Sequence, residues 1–255
     1  GVGHRARRKT VRKTKVSEAP RVGLGVLAWG LGLVALGAPG AGLAEDAIAH
    51  TYPPVIQGNA EAVAVDEAGN KYVTGNFVGT RDFNPGVGYD PKTSVDGSMD
   101  VFVTRFSADG RYCWTQTFGG SITDEPWDLT VSQAVVYVTG CFFSRNAGIG
   151  GEGSIRTQGD RDVFILALEA GTGEAKATFG AGGVQTFGGT LDDQGTALVV
   201  SGGTLYVAGQ FRSTNAGVGG PGVTSTSGNL DGFVLALDAA TGAPRSGFSG
   251  DSVQT

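Results

Sequence analysis

Short apolar segments recur along this chain with polar turns between them. Four stand in order near its start: "AVAV" (62–65), "YVTGNF" (72–77), "VFVTRF" (101–106) and "CWTQTF" (113–118). Each is brief, rich in β-branched and aromatic residues and bounded by turn residues, which predicts strands rather than helices. Val63 and Val65 alternate with alanine, as a strand with one buried face requires; Leu129 and Val131, then Leu198 and Val200, repeat the alternation. "DEAGN" (66–70) predicts a hairpin turn in which Gly69 adopts positive φ. "SADG" (107–110) and the "TG" of 172–173 and 241–242 serve the next turn along.

The pattern is written three times. "KYVTG" (71–75), "VYVTG" (136–140) and "LYVAG" (205–209) are near copies. "QTFGG" at 116–120 returns at 185–189, 69 residues on, and begins again as "QT" at 254–255. "DVFILAL" (162–168) matches "DGFVLAL" (231–237), and "NAGIGGEG" (146–153) matches "NAGVGGPG" (215–222), again at 69. The first unit aligns less evenly: Tyr72 to Tyr137 is 65 residues, and Asp100 to Asp162 is 62. Internal duplication of a four-stranded antiparallel unit predicts an all-β fold of β-propeller blades. The units run approximately over 58–120, 121–189 and 190–255. In each, the valine of Tyr-Val-Thr/Ala-Gly is expected to pack between neighbouring sheets, and the glycine to permit a close backbone approach or a bend. Closed propellers have about four to eight blades. The third "QTFGG" breaks off at Thr255, so three blades are expected as an open arc of a larger propeller, truncated at the C-terminal end, with apolar faces left at the ends of the arc.

"AVAVDEAGNKYVTGNF" and "DVFVTRFSADGRYCWTQTFGG", with their copies, resemble the SBBP-type β-propeller repeat, over about residues 58–255. The resemblance implies a bacterial protein that is secreted or attached to the cell surface. That family prescribes no shared catalytic residue, so none is carried over.

Composition and charge refine this picture. Glycine is unusually frequent at 45 of 255 residues while 40% of the chain stays apolar, which suits many short strands and tight turns. Residues 1–44 hold eight Lys or Arg against one Glu; the remainder holds 11 basic and 23 acidic residues, a net charge of −12. An acidic body argues against nucleic-acid binding, which needs a basic surface. At the front, basic "RARRKTVRKTK" (5–15), apolar "VGLGVLAWGLGLVALGA" (22–38) and small residues up to Ala44 follow the order of a secretory signal peptide, here 1–44, with a short linker over 45–57. Cleavage is expected after Ala44, or after Ala49. An uncleaved anchor is the alternative, but seventeen apolar residues with five glycines make a short and weak span. No stable membrane insertion is expected after cleavage. The absence of an initiating Met agrees with a fragment.

Candidate chemistry is sparse. Asp82, Asn84 and Asp90 share the loop "DFNPGVGYD" (82–90) and could hold calcium, yet Asn-Pro-Gly is a sufficient turn signal and the other units lack the loop. The acidic pairs Asp124–Glu125 and Asp192–Asp193 precede first strands, where repetition favours capping or bonding to an adjacent blade over acid–base work. The glycine runs of 146–153 and 215–222 lack the strand–helix context of a dinucleotide site and read as loops. His4 and His50 lie in or just after the leader, so nucleophilic chemistry built on a histidine base has no support in the blades. Cys113 and Cys141 could pair in an oxidising compartment, although neither recurs in unit three. Carbohydrate recognition would need exposed aromatics, for which Tyr89 and Trp127 are the candidates; Trp127 reads as core. No catalytic, cofactor-binding or metal residue is assigned. The expected function is a non-enzymatic scaffold or binding module for a protein or carbohydrate partner. The alternative is part of a PQQ-dependent quinoprotein-like enzyme, suggested by "ALEAGTGEA" (167–175), "ALDAATGAP" (236–244) and Trp114.

Overall fold

The structure is a computed structural model and describes residues 57–85, 88–220, 222, 224–225, 230–246 and 253–255. The leader of 1–44 and the linker up to residue 56 lie outside the described residues, which belong to one unit spanning Ala49–Thr255.

The alternating segments form strands. Unit one contains β1 (Asn59–Val65), β2 (Lys71–Val78), a small hairpin of β3 (Thr80–Asp82) and β4 (Pro91–Thr93), then β5 (Met99–Phe106) and β6 (Tyr112–Gly119). Unit two contains β7 (Asp124–Ser132), β8 (Val135–Phe142), β9 (Gly148–Ile149), β10 (Asp162–Glu169) and β11 (Val184–Gly188). Unit three contains β12 (Asp193–Ser201), β13 (Thr204–Phe211), β14 (Gly217–Val218), β15 (Asp231–Asp238) and β16 (Val253–Gln254). The sheets run β1-β2-β5-β6-β9, β7-β8-β10-β11-β14 and β12-β13-β15-β16, and every strand pair in them is antiparallel.

The all-β architecture and four consecutive antiparallel strands per unit therefore match the repeat. The glycine runs do more than connect. Within them, β9 of unit two pairs with β6 of unit one, Phe118 opposite Ile149, and β14 of unit three pairs with β11 of unit two, Phe187 opposite Val218. Each run thus adds a fifth strand to the preceding unit's sheet. Two left-handed glycines close each loop, Gly150 and Gly151 at φ 84° and 129°, Gly219 and Gly220 at 78° and 136°, a conformation in which a Cβ is strained.

The glycine of the Tyr-Val-Thr/Ala-Gly motif has a specific cause. The first strand of every unit carries a β-bulge, at Glu61, Trp127 and Thr196, between residues paired in shifted register with the second strand. The bulge pushes a carbonyl oxygen toward the second strand. A Cβ on Gly75, Gly140 or Gly209 would lie 1.8, 2.0 or 2.0 Å from the oxygen of Asn59, Glu125 or Gln194. Only glycine fits there. Gly69 takes φ 82° in the "DEAGN" turn, as expected.

Packing occurs face to face between units. Tyr72, Val101, Val103 and Phe118 of unit one form a core with Leu129, Val138, Phe142, Phe164 and Leu166 of unit two. Tyr137, Val163, Ile165 and Phe187 of unit two do the same with Val207, Phe211, Phe233 and Leu235 of unit three. Val138 and Val207 are equivalent and fully buried. Phenylalanine sits at the centre of each junction: the Phe118 ring lies 4.9 Å from Phe164 and 6.2 Å from Phe142, and Phe187 lies 4.6 Å from Phe233 and 6.1 Å from Phe211. First strands also meet, β1 against β7 and β7 against β12, and Leu198 N donates to Asp128 Oδ2 at 2.9 Å.

Candidate functional site

The end of each sheet that carries the glycine loop concentrates the buried acids. Asp124, at the start of β7, is buried and accepts from Gly120 N (2.9 Å), Phe143 N (3.2 Å) and Ser144 Oγ (2.9 Å). Asp193, its copy in β12, accepts from Gly189 N (2.8 Å), Arg212 N (3.1 Å) and Ser213 Oγ (2.6 Å). Asn146 Oδ1 accepts from Ser121 N and Oγ; Asn215 Oδ1 accepts from Thr190 N and Oγ1. The two glycines of "QTFGG" pass between these groups and a third-strand aspartate. A Cβ on Gly119 would stand 2.4 Å from Asp100 Cγ, and one on Gly188 would stand 2.3 Å from Asp162 Oδ1. Each node therefore joins the last strand of one unit to the first two strands of the next. This is the bonding role expected of Asp124 and Asp193. Of their neighbours, Asp192 bridges Arg161 and Arg212 at 3.5 Å, and Glu125 aligns with Gln194 rather than with an acid.

Motifs alone do not single out the partners Ser144, Ser213, Asn146 and Asn215, and Asp100 and Asp162 mark the repeat without showing this role. A signal existed: Ser144/Ser213 and Asn146/Asn215 stand 69 residues apart, as do Asp124/Asp193.

Burial dominates the electrostatics of the nodes. It pushes Asp124 up to about 7, against the hydrogen bonds from Ser144 and Gly120, and the charge of Asp100 adds to the rise. Asp162 is pushed up to about 7 and Asp100 to about 6, again chiefly by burial, and Asp193 is raised for the same reason. Asp100 is satisfied on both oxygens, by Val95 N and Ser98 Oγ. Unit two has Asp160 where Ser98 stands; Asp162 Oδ2 accepts from Gln158 N, and Oδ1 has no hydrogen-bond partner.

A raised carboxylate holds its proton longer when folded than when unfolded. Its contribution to stability is fully present below the unfolded value of 3.8 and is lost as pH rises toward about 7. Thermal melts are thus expected to be higher at pH 5 than at pH 8. Asp162→Asn should remove part of that difference, raising stability by about 1–2 kcal/mol more at pH 8 than at pH 5, since at pH 5 only the first part of the loss has occurred. Equal melts of the wild type at both pH values would contradict this.

The other candidate residues fall as follows. Asp82 Oδ1 accepts from Asn84 N and Asp90 N, both at 3.0 Å, while Asp90 bonds Lys92 and the Tyr112 hydroxyl. The loop is thereby stitched by its own acids, and among the described residues no group of three or more His, Cys, Asp or Glu is arranged to hold a metal. Cys113 is exposed and Cys141 buried; both are free thiols, so the pairing is absent, and burial pushes Cys141 up to about 11. Trp127 is not core. It is the bulged residue of β7 and is 42% exposed, because the bulge breaks the alternation that would have turned it inward. Tyr89 is exposed, as are Ile122 and Leu191, equivalent residues that follow the two glycine pairs. Trp114 links units: its Nε1 donates to Ala170 O at 3.2 Å and its ring lies under Gly173 of the Thr-Gly turn. Gln116 and Gln185 donate to Gly173 O and Gly242 O in the same way at both junctions.

No protein-family model matches the chain. It is similar to Regulatory protein FlaEY of Caulobacter vibrioides, at 28% identity over 188 residues, which cover 70% of this chain and 19% of that protein. The chain thus spans about a fifth of the length of this relative. Among the described residues, no helix is long and apolar enough to cross a membrane.

Proposed function

We propose that the chain is an SBBP-like β-propeller array, carried outside the cytoplasm, that acts as a non-enzymatic scaffold or binding module. The blade reading is supported by the meeting of successive first strands, β1 with β7 and β7 with β12, while each sheet stacks on the next. The observation that carries the non-enzymatic reading is the commitment of Asp124 and Asp193 to the scaffold itself: each holds both of its oxygens on backbone N–H groups and a serine hydroxyl. Exposed Ile122, Leu191 and Trp127 offer apolar contact to a protein or carbohydrate partner on a rigid support. The relative's name, a regulatory protein, suits a module that acts by binding. Trp114 has a packing role, which leaves the quinoprotein alternative resting on turn sequence alone.

Expression of the full chain in a bacterium, followed by N-terminal sequencing of the exported fraction, tests the location. The mature protein should begin near Glu45 or His50. Intact protein retaining Arg5–Arg21 in the membrane fraction would contradict export with cleavage. A quinone absorbance band appearing when PQQ is added would turn the reading toward the enzyme.

A further inference from the structure

Unit one is unlike the others on one face. In units two and three the face that carries Phe164 and Phe233 receives a phenylalanine from the preceding unit, Phe118 or Phe187. The same socket exists in unit one. By strand register Phe77 corresponds to Phe142 and Phe211, and Phe102 to Phe164 and Phe233. It is filled by Phe83, from the β3–β4 hairpin. The Phe83 ring lies 5.1 Å from Phe102 and 5.3 Å from Phe77, one contact tilted and one edge-on, as at both junctions. Phe83 is 2% exposed, and Tyr112 and Val73 pack against the same cluster.

The hairpin is fixed in place. Phe83 N donates to Asp90 O, Ser94 N donates to Gly79 O, and Gly79 N donates to Ser94 Oγ. Thr80 and Thr93 join hydroxyls at 2.9 Å, and Asp90 meets the Tyr112 hydroxyl.

The rest of that face has changed chemistry as well. Lys71 stands where units two and three have Val136 and Leu205, Thr104 where they have Leu166 and Leu235, and Thr115 where they have Val184 and Val253. Thr104 and Thr115 satisfy one another at 2.7 Å, and Lys71 Nζ donates to Ala108 O. Val63 is 65% exposed, whereas its counterparts Leu129 and Leu198 are 5% and 8% exposed under a preceding unit. Thr104 and Thr115 are themselves buried, so the face has exchanged leucine and valine for a self-satisfied hydroxyl pair, which lessens the apolar surface that an end unit of a repeat array leaves without a partner.

We propose that the hairpin Thr80–Thr93 is a built-in end cap, in which Phe83 stands in for the phenylalanine of a preceding unit and bars any further copy of the repeat from that face. The array is then one-ended. Stacking proceeds from unit one toward unit three, and a ring closed through unit one would have to expel Phe83. The inference rests on the equivalence of the units and goes beyond the binding role proposed above.

The test compares the full wild-type chain with a four-fold variant, Lys71→Val, Phe83→Ala, Thr104→Leu and Thr115→Val, by sedimentation over a wide concentration range. The substitutions should add head-to-tail association, with the average mass rising by about twofold or more as concentration increases. A folded variant that adds none overturns the cap, and so does wild-type association that Val63→Lys weakens. Phe83→Ala alone is the second arm, since it retains the other contacts. It should bind an apolar-surface dye more strongly than wild type and speed amide exchange at Val73–Phe77. Unchanged dye binding and exchange would overturn the proposal. Phe187→Ala is the control: if it leaves the melt untouched, the stacking of units fails as a reading whatever Phe83 does.

Discussion

Phe187→Ala is expected to destabilise the protein by about 3–5 kcal/mol, the range for deleting a buried aromatic ring from a core. The ring is fully buried and touches Phe211 and Phe233 of the next unit, so the loss falls on the junction rather than within one sheet. Its own backbone also pairs with Val218, and the cavity would open beside that short ladder. For a body of this size the melt should fall by roughly 10 °C. Calorimetry of wild type and variant checks this, and a fall within the error of the scan would mean that units two and three do not depend on that contact.

Gly209→Ala is expected to cost about 4 kcal/mol or more, enough to move the protein into the insoluble fraction on expression. The added Cβ would lie 2.0 Å from Gln194 O and 2.7 Å from the Phe233 ring. A ring can turn aside, but the carbonyl belongs to the backbone of the β12 bulge, and relief requires the bulge to be undone. Gly171→Ala provides the control, since nothing lies within 4 Å of its added Cβ and the position has no positive φ. That change should be neutral or slightly stabilising. Comparable losses in the two variants would show that the close approach at Gly209 is not what selects glycine.

Much of the fold can be read from the residues because strands with one buried face announce themselves by alternation, and duplication supplies the check. Val63/Val65, Leu129/Val131 and Leu198/Val200 mark the same strand three times, and the structure places all three pairs in first strands, with Leu129 and Leu198 buried. Val63 and Val65 are exposed, however, and it is Ala62 and Ala64 that pack against the core, because among the described residues β1 has no preceding unit over its valine face. What escapes such reading depends on register and on distant partners. Trp127 has the parity of Leu129 and so reads as core, but one bulged residue reverses it. The two-residue strands β9 and β14 are too short for a pattern and are hidden in glycine-rich runs whose composition reads as loop. Phe83 sits in a loop with a sufficient turn signal of its own. Its role emerges only when Phe77 and Phe102 are seen to form the socket that Phe118 and Phe187 fill elsewhere. For the nodes, Asp124 and Asp193 were visible as repeated acids, while Asp100 and Asp162 joined them only through the closeness that Gly119 and Gly188 allow.

The central claim is that neighbouring units are interlocked, each glycine run completing the sheet before it. Gly150 N donates to Thr117 O at 2.7 Å and Gly219 N donates to Thr186 O at 2.8 Å, hydrogen bonds made across the two junctions from what would otherwise be surface loops. Amide hydrogen exchange on the full chain reads both directly. The interlocked arrangement predicts slow exchange at Gly150 and Gly219, comparable with that of the buried strand residues Val138 and Val207. Exchange at the rate of an open loop at both glycines, with Val138 and Val207 still protected, would contradict it.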